Sequence, residues 1–467
     1  MEGATNSVGQ HQDLRLYTYI ESLPIIDYHC HLEPKFLVEN KPFKSIADAM
    51  LSGDHYKWRL MRSCGYSESF CAGGSLQFDQ FFAWAKTLER SVGNQVAVWN
   101  AMELDRFFSV DIPLNSQNAK EIWAHCQQLI ETPDFLPLAL LERLNVEILA
   151  TTDDPTDDLV WHQRQDPSST KIIPTFRPDK LFRIENNSEF LRWLSRLSDV
   201  SGVKIRNLES LKFAITQRFE FFVSVGCRLS DHGLDGFWFE EVGDRCVENL
   251  LQNLLTGKSP TEQSDLKKWF SYWMVFFAKL NSSFGNTMLL HIGAARNLNR
   301  VEHANLGSDK GFDAIGEESY LSNLGRYFSC LQSSGELPKT IIFNSNPKDT
   351  VPLVTLAGCF QREQVSSLIE VGPPWWFLDH EAGIRDQLQA VATNGVLANM
   401  TGMVTDSRSL LSFVRHDFFR RIASRFVEDF YAESIVKPTI HDDEALIGCL
   451  KDISYFNARR LLGEGDA

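Results

Sequence analysis

Eight short runs of β-branched and apolar residues punctuate this chain, each ending abruptly in polar, chemically capable side chains: residues 25–31, 146–153, 171–177, 226–232, 287–293, 340–344, 368–372 and 402–406. Stretches with helical spacing separate most of them, among them residues 189–197, 208–225, 320–331 and 382–394. Strand and helix alternating eight times predicts an α/β fold of the (β/α)8 TIM-barrel type, whose catalytic groups gather at the C-terminal strand ends. Polar endings on nearly every run favour such a barrel over separate open-sheet domains.

One gap breaks the rhythm. Between the first two runs the periodicity is helical, at residues 45–51, 78–86, 119–129 and 138–144. We read residues 33–145 as a large helical insertion after strand 1, standing over the barrel mouth. Residues 250–284 form a second, smaller excursion, and the Gly/Ser-rich residues 72–75 a loop. The expected organisation is a single barrel domain over 20–467, interrupted by 33–145, with an N-terminal arm at 1–19.

Charge narrows the partners. A net charge of −15 over 467 residues argues against nucleic acid or an anionic membrane, and any anionic substrate then needs locally placed arginines. Residues 1–14 are polar, without the basic-then-apolar pattern of a secretory signal. The most apolar window, residues 269–280, contains Lys279 and is too short to span a bilayer. Nine cysteines without CxxC pairing read as reduced thiols of a cytoplasmic protein. Cys30 reads as a small buried residue on the far side of its strand.

Candidate chemistry sits at the run ends. His29 and His31 are two apart, so on a strand both imidazoles aim into one space, half of a divalent metal site. The bland alternative is a pair of surface or satisfied core histidines. The eighth run ends in Asp406, which a barrel places beside strand one; two histidines and a carboxylate leave open positions on an ion. Alternatively, Asp406 caps the next helix with Ser407 as a turn residue. Residues 54–59 pack His55, Tyr56, Lys57 and Arg59 together. A Tyr base needs a lowered pKa, whereas Asp54 as a helix cap would make the run a solvated helix start. Arg177 suits bidentate carboxylate capture or an ion pair with Asp179. Trp375 and Trp376 suit sugar-ring stacking or wedging into the core. His232 and His291 are each a third ligand, a substrate donor or a structural histidine. Residues 229–233 hold no lysine to bridge two metals, which points to one.

His29-x-His31 with Asp406 resembles the amidohydrolase superfamily. Within it the chain resembles the uronate (glucuronate) isomerase family, in Asp27-Tyr-His-Cys-His-Leu32, Gly53-Asp-His-Tyr-Lys-Trp-Arg59, Thr151-Thr-Asp-Asp-Pro155, Phe176-Arg-Pro-Asp-Lys180, Gly226-Cys-Arg-Leu-Ser-Asp-His-Gly233, His291-Ile-Gly-Ala-Ala-Arg-Asn297, Asn346-Pro-Lys-Asp349, Trp375-Trp-Phe377 and Met403-Val-Thr-Asp-Ser-Arg408. The resemblance implies isomerisation of D-glucuronate to D-fructuronate or D-galacturonate to D-tagaturonate through a cis-enediolate. It implies one divalent ion, zinc, on His29, His31 and Asp406. Tyr56, His55, Asp406 and Arg408 become the catalytic set, and Arg177, Arg408, Trp375, Trp376 and His291 the substrate contacts. The expected partner is a small hexuronate, and a homo-oligomer is compatible with it. Departures are Ala101 where the family has His, Lys348 for Arg, and Pro373-Pro374 before the tryptophans; none touches the metal residues. Other readings are a metal-dependent hydrolase of a sugar-acid lactone or amide, and an inactive sugar-acid-binding homologue, the latter supported by Ala101.

Overall fold

β-branched runs become strands here because their alternate side chains find two apolar layers to enter. In a computed structural model describing residues 14–72, 77–166, 170–433 and 441–465, seven of the eight expected runs are strands. They are β1 (Ile25–Asp27), β2 (Val146–Ala150), β3 (Lys171–Ile173), β4 (Leu229–Leu234), β5 (Thr287–Ile292), β6 (Thr340–Asn344) and β7 (Ile369–Val371). All pair in parallel, β1-β2-β3 in one sheet and β4-β5-β6-β7 in another. Phe176 bridges the two sheets, pairing with Asp153 on one side and Ser230 on the other. The chain is therefore an α/β protein with parallel sheets. Strands β1 to β6 send Ile26, Ile148, Ile173, Leu229, Leu289, Ile341 and Phe343 into one inner apolar cluster, distinct from the layer between strands and helices.

The eighth run departs from expectation. Residues 402–406 form no strand, and among the described residues none pairs β7 with β1. Side chains intercept the groups a ladder would use. The Tyr28 hydroxyl donates to the Gly402 carbonyl at 2.9 Å, and the buried Asp27 carboxylate accepts from the Thr405 amide and hydroxyl. Asp406 then turns into the left-handed region, φ 47°, ending the extension. Two backbone bonds remain: Asp406 N–H to the His29 carbonyl at 3.1 Å and His31 N–H to the Ser407 carbonyl at 2.9 Å. The first strand is also shorter than expected, so both histidines lie just past its end.

Between β1 and β2 the described residues are helical, including His55–Ser63, Phe78–Arg90 and Gln95–Phe108. The first begins where the Asp54 carboxylate accepts from the Lys57 amide, as the capping alternative required. Its Lys57 is buried and paired with Glu103 of helix Gln95–Phe108 at 3.1 Å, which fixes the start of the helix in place. The second excursion comprises Asp244–Leu255 and Gln263–Phe284. No helix among the described residues is long and apolar enough to cross a membrane.

Candidate active site

At the C-terminal ends of the strands His29, His31 and Asp406 converge. Nε2 of each imidazole lies 3.1 Å from Asp406 Oδ1, and the rings stand edge to face. The other carboxylate oxygen, Oδ2, accepts from the Trp375 indole N–H at 2.8 Å, leaving Oδ1 to the imidazoles. Asp406 is not a helix cap: Ser409 caps the next short helix, while Ser407 serves in the turn, accepting from the Ser409 amide. Burial and nearby Arg408 pull the His31 imidazole down to about 4. Burial opposes ionisation of Asp406, but hydrogen bonds from His29 and His31 outweigh it and hold the carboxyl well below its ordinary range. Two neutral-capable imidazoles and an ionised carboxylate, their ligand atoms within 4.8 Å of one another, fit a first-row divalent ion. A second group, His29, Asp231 and His291, meets the same distance. Buried atoms there lack hydrogen-bond partners, namely His29 Nδ1, His291 Nε2 and Asp231 Oδ2, although Arg177 Nη1 stands 2.9 Å from the last.

Asp231 is one residue that sequence reasoning missed. Its fully buried carboxylate takes His291 Nδ1 at 2.7 Å on one oxygen and faces Arg177 on the other. Strand alternation accounts for this, since Asp231 faces inward from β4 and its neighbours outward. His232 therefore leaves the site: its Nε2 lies 3.2 Å from Ser230 Oγ and its ring packs on Phe277. His291 lines the cavity, stacked on Phe343 with centroids 4.4 Å apart. Arg177 makes the ion pair with Asp179, 2.7 Å, as well as the one with Asp231. A Cβ on Gly233 would fall 2.2 Å from Arg177 Nη2. Gly233→Ala must therefore swing the guanidinium out of place, with an expected loss in kcat/KM of roughly 10- to 100-fold. Kinetics on a normally folded variant check this; unchanged kcat/KM would dissociate Arg177 from turnover.

The helix beginning at His55 delivers two more groups. His55 lines the main cavity with its Nδ1 buried and unpartnered, and burial, then Arg408, lower its pKa. Tyr56 enters a small adjoining recess shared with Asp406, Arg408 and Arg415. Burial first, then the Asp406 charge, push its phenol well above the usual value. The lowered pKa that a Tyr base needs is thus not supplied by the neighbouring cations alone. Lys57 and Arg59 point elsewhere, Arg59 donating to the Gly311 carbonyl. Trp375 and Trp376 are both buried and belong to the inner core, while their edges line the cavity.

The cavity holds about 430 Å³ and adds Asp153, Lys180, Arg183, Arg296 and Asp309, which no periodicity flags. Burial pushes Asp153 up to about 7. With Arg177 and Arg408, five cations line one cavity of a strongly acidic chain. The departures lie outside it. Ala101 faces a separate groove beside Met102 and Phe418, and Lys348 donates to the Glu317 carbonyl.

The sequence profile of the glucuronate isomerase family matches residues 6–462. The chain is 39% identical over 454 residues to the uronate isomerase of Lactococcus lactis subsp. cremoris, covering 96% of this chain and 95% of that one. It is 38% identical over 455 residues to the uronate isomerase of Caldanaerobacter subterraneus subsp. tengcongensis, covering 96% of each. Among solved structures it superposes on a uronate isomerase from Thermotoga maritima with a TM-score of 0.89, 30% identity and 96% of each chain covered. A glucuronate isomerase from Caulobacter crescentus gives the same TM-score at 25% identity, covering 100% of this chain and 98% of that one. With family motifs, near-complete coverage and fold in agreement, the chain belongs to the glucuronate (uronate) isomerase family.

Proposed function

We propose that the chain isomerises a hexuronate, D-glucuronate to D-fructuronate or D-galacturonate to D-tagaturonate, at the cavity built on His29, His31 and Asp406. One observation carries this reading: a two-histidine, one-carboxylate cluster and two arginines, Arg177 and Arg408, line the same cavity. His29, His31 and Asp406 would hold one divalent ion, zinc, which supplies Lewis-acid polarisation of substrate oxygens.

Aldose–ketose isomerisation moves a proton from C2 to C1 and another between the two oxygens, through a cis-enediolate. Asp406 stays ionised and accepts the carbon-bound proton, returning it one carbon away. Tyr56, still protonated, and His55, neutral, hold and pass the hydroxyl proton. Arg177 and Arg408 divide two anionic groups between them, the C6 carboxylate and the enediolate oxygen. His291, its Nδ1 side fixed by Asp231, and the edges of Trp375 and Trp376 complete the substrate contacts. Tyr56→Phe is expected to lower kcat roughly 10²-fold. Retained turnover would move the proton to His55.

A hydrolase of a lactone or amide is disfavoured, because the fourth strand offers no lysine to bridge two metals and its inward carboxylate, Asp231, is engaged by Arg177 and His291. The inactive-homologue reading loses its support with Ala101 outside the cavity. We also read the seven strands and residues 402–406 as a (β/α)8 barrel, one domain over 20–467 with 33–145 inserted; the bridge at Phe176 and the shared inner cluster support this. The proposed compartment is the cytoplasm, supported by nine free thiols. Assaying metal-loaded protein on glucuronate and galacturonate separately, scoring the 2-ketouronate, tests the function. Turnover of neither sugar acid overturns it.

A further inference from the structure

We propose that Asp309 is a built-in competitor of the substrate: its carboxylate occupies the Arg408 guanidinium in the free protein, and an anionic sugar binds by replacing it. This rests on the reading of Arg408 as a substrate-binding group.

The two cavity arginines are held differently. Arg177 is gripped by two carboxylates at 2.7 and 2.9 Å, one of them fully buried. Arg408 meets Asp309 through a single contact, Nη2 to Oδ2, at 3.3 Å, with the side chains 30% and 52% exposed. A long, one-pronged, half-solvated ion pair contributes little, whereas a sugar carboxylate or enediolate can approach the guanidinium fork with two oxygens. Asp309 lines the cavity itself and lies in the field of Arg408 and Arg296, the corner an anionic substrate would seek.

The backbone beneath Asp309 is fixed. Residues 296–313 leave and return to the two-residue antiparallel ribbon of Ala294–Ala295 with Ala314–Ile315, carrying the short helix Arg300–Leu306 on the way and Asp309 in the loop that follows it. From the helix carrying His55, Arg62 donates to the Lys310 carbonyl at 2.6 Å, and Arg59 to those of Gly311 and Asp313 at 2.9 and 2.5 Å. Gly311, with φ 88°, packs so closely that a Cβ would sit 3.0 Å from the His55 carbonyl oxygen. The loop base therefore stays put, and Asp309 leaves Arg408 by turning its side chain toward solvent. A neutral aldose has no anion to put in its place, so the Arg408–Asp309 pair also favours sugar acids over neutral sugars.

The test is a double-mutant cycle with Asp309→Asn, Arg408→Met and both, on metal-loaded protein with glucuronate and galacturonate. A competitor that leaves Arg408 free only part of the time weakens apparent affinity by that fraction. Asp309→Asn is therefore expected to raise kcat/KM about two- to fivefold, the size of an exposed ion pair. The gain should vanish in the Arg408→Met background. Calorimetric binding of D-gluconate, a six-carbon acid with no carbonyl to isomerise, supplies the same cycle where turnover is too low to measure. An unchanged or lower kcat/KM in Asp309→Asn overturns the proposal, a rise in KM assigning Asp309 to a sugar hydroxyl instead. A gain that persists without Arg408 also overturns it, as a general charge effect. An Arg408→Met variant with full kcat/KM and full gluconate affinity overturns the substrate-binding reading of Arg408.

Discussion

Asp406→Asn should strip the protein of its metal and cut hexuronate kcat/KM by roughly 10³-fold. The substitution keeps the shape and removes the charge, and the amide cannot satisfy both of its neighbours. Asp406 Oδ2 accepts from the Trp375 indole while Oδ1 faces His29 and His31. An Asn must turn its NH₂ either against the indole N–H, donor to donor, or toward the imidazoles, displacing the ligand oxygen. Lewis-acid stabilisation amounts to several kcal/mol, and about 1.4 kcal/mol is a decade in rate, so losing it costs about three decades. Elemental analysis beside steady-state kinetics decides: a variant that keeps its metal and turns over within tenfold of wild type would remove Asp406 from both roles.

Arg177→Lys comes next in expected size, a fall in kcat/KM of roughly 10²-fold or more. Lysine keeps the charge and loses the planar fork, so one ammonium cannot reproduce the guanidinium's contacts with Asp179 and Asp231 together. Asp231 is fully buried, and a buried carboxylate deprived of a partner is costly, about 3–5 kcal/mol when the pair is broken outright. The injury reaches His291 too, since the same carboxylate holds its Nδ1 side. Comparing Arg177→Lys with Arg408→Lys assigns the two guanidiniums. Loss of the carboxylate clamp raises KM, and loss of the enediolate partner lowers kcat. Unaltered kinetics in both variants would detach the cavity from a uronate substrate.

Much of this was legible in the residues because local pattern and local chemistry coincide. The β-branched run opening at Ile25 declares a strand, its His29 and His31 meet Asp406 as a barrel order would place them, and Arg177 two residues from Asp179 announces its ion pair. What escaped is what depends on distant chain. Residues 402–406 look like a strand, but the Tyr28 hydroxyl and the Asp27 carboxylate take up groups that a ladder would need. Asp231 hid beside His232, the more conspicuous ligand type, although alternation along β4 allows only one of the two to face inward. Asp309 lies in a loop without periodicity, recognisable only once Arg408 is seen beside it. The tryptophan pair took the core alternative in large part, and Tyr56 met burial that its charged sequence neighbours did not foretell.

The pairing of His29 with Asp406 spans 377 positions of chain. At a ribosomal pace of about 5–20 residues per second, the histidines leave the synthetic machinery roughly 20 to 75 seconds before their carboxylate exists. For all that time the first strand waits without the segment that anchors its end through Asp27, and contacts of such long sequence separation are intrinsically slow to form. A product terminated before residue 406 would carry both imidazoles and most of the core, yet lack the carboxylate that the two share. The contact that His29 and His31 share with Asp406 therefore forms only after synthesis has passed residue 406.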